Sequence, residues 1–155
     1  MAKEREVKVI SVLLAGSMVV ILAAAAPASA RNDKYLLPIN SALQSKDAPE
    51  TPDGSVKFFF GKQEPPEIIA KLGSYSTHQR SRTRPSEDQK ACNAAFLKAL
   101  VYLQKRAQQT GANAVVNVVS YYKSDTLSSA TEFECHAGAA AHVMLRGELV
   151  KIPSQ

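Results

Sequence analysis

Along this chain the spacing of hydrophobic and polar positions changes period several times, and each change marks an element. The most regular stretch runs from Ser86 to about Gln109. There Cys92, Ala95, Phe96, Ala99, Leu103 and Ala107 recur at helical spacing, with Asn93, Gln104, Lys105 and Gln108 on the opposite side. This predicts one long helix. Ser86 is the expected N-cap, and Gln89 three residues on completes a capping box. Glu87 and Asp88 suit the positive end of the helix dipole, and Gly111 supplies the C-terminal stop. The apolar face consists mainly of alanine, which lets a helix lie close to a sheet.

Period-two alternation takes over beyond the helix. Residues 113–123, 130–135 and 141–152 read as three strands of an antiparallel meander, with a polar turn at 124–129. Val116 and Val118 are expected on one face with Asn117 opposite, and Phe133 and Cys135 on a face opposite Glu132, Glu134 and His136. In the last strand Val143, Leu145 and Leu149 oppose His142, Arg146 and Glu148. Ahead of the helix, residues 55–60 read as a phenylalanine-rich strand, entered by the Pro52-Asp53-Gly54 turn and stopped by Gly61. Residues 35–39 form a short apolar stretch whose Pro38 confines it to an edge strand or an extended arm. From Lys62 to Pro85 the pattern weakens. Pro65-Pro66 interrupts regular structure, residues 67–72 admit one helical turn, and His78, Arg80, Arg82 and Arg84 alternate with Gln79, Ser81 and Thr83 in what reads as a solvated, mobile basic loop. The expected fold is α+β: one long helix packed on an antiparallel sheet that ends in a three-strand meander. A single domain over residues 55–152 follows an extended N-terminal arm and loop over 31–54.

The first thirty residues change the chemical setting. Lys3, Arg5 and Lys8, diluted by Glu4 and Glu6, precede an apolar run from Val9 through Ala26, and Ala28-Ser29-Ala30 matches a cleavage box. This reads as a secretory signal peptide cut between Ala30 and Arg31. The run is as long as the shortest spanning helices of roughly 17 residues, but its alanine-rich end and the cleavage box favour a leader over a retained anchor. A periplasmic or secreted protein with no stable membrane anchor follows. In an oxidising compartment the two cysteines, Cys92 and Cys135, are expected to pair. Cys92 lies on the apolar face of the helix and Cys135 on the strand face that the helix should cover, so the two can meet. Closing that loop stabilises by roughly 4 kcal/mol in the chain-entropy model.

Length and composition fit this picture: 155 residues, 45% hydrophobic and 21% charged, suit one globular domain. The net charge of +5 is too small to identify nucleic acid as a partner. No G-x-x-x-x-G-K-[ST] or G-x-G-x-x-G loop occurs, so ATP and other nucleotide cofactors are not expected. No G-x-S-x-G frames a serine. Cys135 and His136 with Cys92 and His142 are the types that bind metals. Neighbouring strand residues point to opposite faces, however, and ligand spacing is lacking, so no metal is expected. Tyr121-Tyr122-Lys123 has the makings of a base-stacking clamp but is also ordinary strand composition. Two candidate sites remain. Arg80, Arg82 and Arg84 offer a contact for anions, at which nucleic-acid binding would be weak and non-specific. Glu132, Glu134 and His136 share a strand face and supply the alternative of a periplasmic hydrolase. The leading expectation is a non-enzymatic exported protein that binds an envelope protein or an anionic surface component.

Several segments together carry a resemblance: Cys92-Asn93-Ala94-Ala95-Phe96-Leu97, Leu103-Gln104-Lys105-Arg106-Ala107, residues 111–117, Ser120-Tyr121-Tyr122-Lys123 and residues 132–138. From about Leu36 to Ile152 the chain resembles a family of small exported bacterial proteins. Members often carry the inherited name excinuclease ATPase subunit, yet this sequence has neither the nucleotide loop nor the zinc-binding cysteines that such a name requires. The alanine-rich helix followed by G-A-N-A-V and strands is more distantly similar to the YbjQ and RcsF type of α/β domain, the latter a disulfide-stapled envelope-stress sensor. That similarity implies architecture rather than function. Two cysteines stand here where RcsF has four, and no lipid-attachment cysteine is present.

Overall fold

In the computed structural model, which describes residues 30–84 and 86–154, the elements run β1 (Asp33–Pro38), α1 (Ile39–Leu43), β2 (Lys57–Phe60), β3 (Ala70–Arg82), α2 (Asp88–Thr110), β4 (Ala114–Tyr122), β5 (Asp125–Leu127), β6 (Glu132–Ala137) and β7 (Ala140–Lys151). The expected leader lies outside the described residues, Ala30 excepted. The fold is α+β, with a curled seven-stranded sheet in the order β1-β6-β7-β4-β2; β3 lies along β7 and β5 along β4. The segment expected as arm and loop contributes β1 to the sheet edge and the short α1 to the core.

Strand β7 organises the sheet. One edge pairs with β3 from Ala140 to Lys151; the other is shared between β6, at Ala141 and His142, and β4, from Leu145 to Val150. The three C-terminal strands are therefore not a meander, because β7 takes both β4 and β6 as partners and no ladder joins those two. Alternation identifies a strand but not its neighbour. Nor is the sheet wholly antiparallel: β2 runs parallel to β4, which β3 and α2 make feasible by providing the long crossover that parallel pairing needs.

The largest correction concerns the basic stretch, which is strand rather than loop. Residues 70–82 form β3, with His78, Arg80 and Arg82 exposed and Thr77, Gln79 and Ser81 turned inward. The alternation is a true strand period, but polar residues occupy both faces and give no hydrophobic contrast. A register shift beside Gly73, whose φ is 129°, lets Leu72 and Tyr75 both pack against the core. Another irregularity corrects β4. Asn117, at φ 50°, sits where the β4–β7 register slips, so Val115 and Val118 face the main core while Val116 joins a smaller cluster with Ala114, Val150 and Ile152. Val116 and Val118 are thus on opposite faces.

Helix α2 begins at Asp88, one turn's fraction later than expected. Ser86 has φ 69° and does not act as the N-cap; Glu87 stands there without a side-chain capping bond. Asp88 is instead held from outside the helix by Arg31, at 2.7 and 3.0 Å, and by the Tyr35 hydroxyl, which donates at 2.9 Å. At the other end Gly111 adopts the left-handed conformation expected of it, at φ 77°. The predicted face is fully buried, with Cys92, Ala95, Phe96, Ala99, Leu103 and Ala107 all at 0% exposure. Asn93 and Gln104 are buried as well, contrary to the polar face assigned to them. Residues 44–55 explain part of this, since they lie across the helix: Asp53 N–H donates to Gln104 Oε1 at 3.0 Å and Gln108 Nε2 donates to Ser55 Oγ at 2.9 Å.

Under α2 the rings of Phe96 and Phe133 stack with centroids 4.1 Å apart, and Phe60 lies 6.1 Å from Phe96. Cys92 and Cys135 form a disulfide with Cα atoms 5.8 Å apart, joining the helix to β6.

Candidate functional site

The basic groove arises from the position of β3 at an edge. Among the described residues β3 pairs only with β7, so its other edge has no strand partner and runs beside α2. Arg80 and Arg82 project from this strand and Arg84 follows it, and none of the three enters an ion pair among the described residues. A cleft of about 360 Å³ lies between the end of β3 and the first turns of α2; Arg82, Arg84 and Lys90 line it, as do Asp47 and Glu87. Farther along, Lys98 Nζ donates to the Arg80 carbonyl at 3.2 Å. A second cleft, about 520 Å³, includes Arg31, Thr83 and Arg84. Arg31 is already neutralised there by Asp88, whose carboxyl the Arg31 guanidinium holds below its ordinary pKa.

The three residues of the hydrolase alternative are arranged differently from expectation. Glu132 is exposed, but Glu134 and His136 are each only 7% exposed, so the expected open face is largely covered. Pairing of β1 with β6 brings Lys34 beside His136, and the Lys34 ammonium reaches Glu134 Oε2 at 2.7 Å. His136 Nε2 lies 2.7 Å from Glu134 Oε1 and the Tyr122 ring stacks on the imidazole at 3.6 Å. Ser120 Oγ accepts from the Glu134 N–H at 3.0 Å. His136 Nδ1 is buried without a hydrogen-bond partner. Burial by itself would push the Glu134 carboxyl up, but Lys34 and His136 together hold it below its ordinary value. Both oxygens are committed to internal partners, and neither of the two clefts beside β3 reaches them.

This network has a pH signature. The folded carboxyl of Glu134 binds a proton less readily than the unfolded one, so its contribution is present above the ordinary carboxylate range and is lost as pH falls through its depressed value. Asp88 adds the same sign. The urea midpoint should fall from pH 5 towards pH 3, and Glu134→Gln should make that acid limb shallower. An acid limb identical in wild type and variant would refute the assignment.

A further pair was not legible in the sequence. His78 on β3 and His142 on β7 meet with Nε2 and Nδ1 2.9 Å apart. Burial, then His78, Arg80 and His136, lower the pKa of His142. The parity of the last strand placed His142 away from the core, but the reading of residues 78–84 as loop gave His78 no face and the two rings no reason to meet. Among the described residues no three His, Cys, Asp or Glu side chains are grouped to hold a metal ion.

No family model matches the chain, and no curated protein matches it in sequence.

Proposed function

We propose that the protein is exported and acts by binding rather than catalysis, holding an extended acidic segment of an envelope partner along the open edge of β3. The observation that carries this reading is the row of Arg80, Arg82 and Arg84, without carboxylate partners, on an unpaired strand edge with Lys98 of α2 alongside; Lys90, nearer its end, is paired with Glu87 at 3.6 Å. An added strand bonds to the unpaired backbone groups of that edge, displacing Lys98 from the Arg80 carbonyl where it must, and the cations flanking it select for acidic side chains. The same charges oppose edge-to-edge pairing between two copies of this chain. The expected leader and the resemblance to small exported bacterial proteins support the compartment. The Cys92–Cys135 bridge suits it too, since disulfides persist where the surroundings are oxidising.

Fluorescence polarisation tests the proposal, with a labelled eight-residue peptide of alternating glutamate and valine, a labelled DNA duplex, and a salt series. The peptide should bind, more weakly as salt rises, and Arg80→Ser, Arg82→Ser and Arg84→Ser together should weaken it at least about tenfold, some 1.4 kcal/mol. Duplex binding should be independent of sequence, with a slope of about −0.9 per phosphate contact. Peptide binding that survives the triple change, or sequence-selective DNA binding that persists at high salt, would overturn the reading.

A further inference from the structure

We propose that His78 and His142, together with the thioether of Met144, form a surface site for one copper ion on the face of the sheet turned away from α2. Arg80 borders both this site and the groove beside β3, but none of the three proposed ligands lines the clefts of that groove. Its residues are 64 positions apart in the case of the two histidines and meet only because β3 and β7 pair. In that ladder His78 stands opposite Met144, and Arg80 stands opposite His142. His78 and His142 are thus diagonal neighbours on one face, within reach of each other's long side chains, and Met144 is directly across from the first and two residues from the second.

The donor geometry favours a particular coordination. His78 Nε2 and His142 Nδ1 share one hydrogen bond at 2.9 Å; a metal would displace its proton and lie off the line between the nitrogens, the two rings turning to converge on it. Imidazole nitrogens bind first-row ions at roughly 2.0–2.1 Å, and two such bonds at about 90° set the nitrogens about 2.9 Å apart. That is the angle between adjacent positions of a tetragonal centre, the arrangement copper(II) prefers with imidazole ligands. Tetrahedral zinc would need the rings to separate farther. Met144, opposite His78 in the ladder, would offer a soft sulfur, a weak ligand for copper(II) and a stronger one for copper(I). His78 is exposed and His142 and Met144 half-buried, which leaves room for water in the remaining positions.

Two features bound the affinity. Arg80 and Arg146 lie on the same face and oppose a cation, so the bonds to nitrogen and sulfur must outweigh that repulsion. His136, the Cα partner of His142 on the other side, has its Nε2 tied to Glu134 and its ring against Tyr122, and only its buried Nδ1 is without a partner.

The test is titration of the purified, tag-free protein with copper(II), followed by calorimetry and electron paramagnetic resonance. One ion per chain with a two-nitrogen hyperfine pattern is expected. His78→Asn and His142→Asn should each weaken binding at least about tenfold and remove that pattern. Met144→Leu should leave copper(II) affinity nearly unchanged and lower copper(I) affinity, read by competition with a chromophoric chelator. As a check that needs no variant, copper(II) should selectively broaden the ring resonances of His78 and His142 in the wild-type NMR spectrum. No binding, a two-nitrogen signal retained by the double histidine variant, or broadening centred elsewhere would overturn the site; unchanged copper(I) affinity in Met144→Leu would remove the thioether from it.

Discussion

Replacing Cys92 and Cys135 together by alanine should lower stability by about 4 kcal/mol, the entropy cost that closing a loop of this length removes from folding. The bridge spans a sequence separation of 43 and ties the middle of the sheet to the helix that covers it, at a point where both cysteines are at 0% exposure. For a domain of this size the melting temperature should fall by on the order of 15 °C. Alanine is the right replacement, because serine would bury two unpaired hydroxyls and add a penalty of its own. Thermal and urea unfolding of the oxidised wild type and the double variant give the difference. Thiol labelling of the denatured, unreduced wild type should find no free thiol. A loss below about 1 kcal/mol would mean that the bridge does not act as a staple.

Phe96→Ala should cost about 3–5 kcal/mol, by lost transfer of the ring and by the cavity left beneath α2. Phe96 is at 0% exposure and its ring stacks on Phe133 and approaches Phe60, so three elements, α2, β6 and β2, lose a shared contact at once. The alanines that bring α2 close to the sheet leave little freedom for collapse into the space. Phe96→Leu keeps most of the volume and should cost well under half as much. Equilibrium urea unfolding of both variants is the measurement. Equal losses for leucine and alanine would show that ring shape, not filled volume, sets the cost.

Some of this was open to inspection in the residues. Cys92, Ala95, Phe96, Ala99, Leu103 and Ala107 recur at the helical period, and all are buried. Gly111 ends α2 in the left-handed conformation that glycine adopts cheaply. Val143, Leu145 and Leu149 alternate towards the core as read, and the opposite parity of His142 and Arg146 held. The Cys92–Cys135 pairing followed from two local periods whose apolar faces had to meet. β3 was missed because its alternation sets arginine and histidine against glutamine, serine and threonine, so it carries no apolar signal. Its order comes from a ladder with β7.

The candidate sites divide along the same line. Arg80, Arg82 and Arg84 were recognisable as a concentration of charge, but the strand edge that presents them was not. Glu134 and His136 were placed on the correct side of β6, and the expectation of exposure failed because Lys34 and Tyr122 arrive from β1 and β4 to cover them. The approach of His78 to His142 likewise depends on register between strands that are far apart in the chain. Helical and pleated periods repeat within a few residues, so the sequence by itself determined where α2 and β7 lie, which faces they bury and which cysteines can pair. Which strand lies beside which, where a bulge such as that at Asn117 reverses a face, and which polar groups end up covered were decided only by the tertiary structure. Those outcomes depend on long-range hydrogen bonding and packing, which no local period encodes.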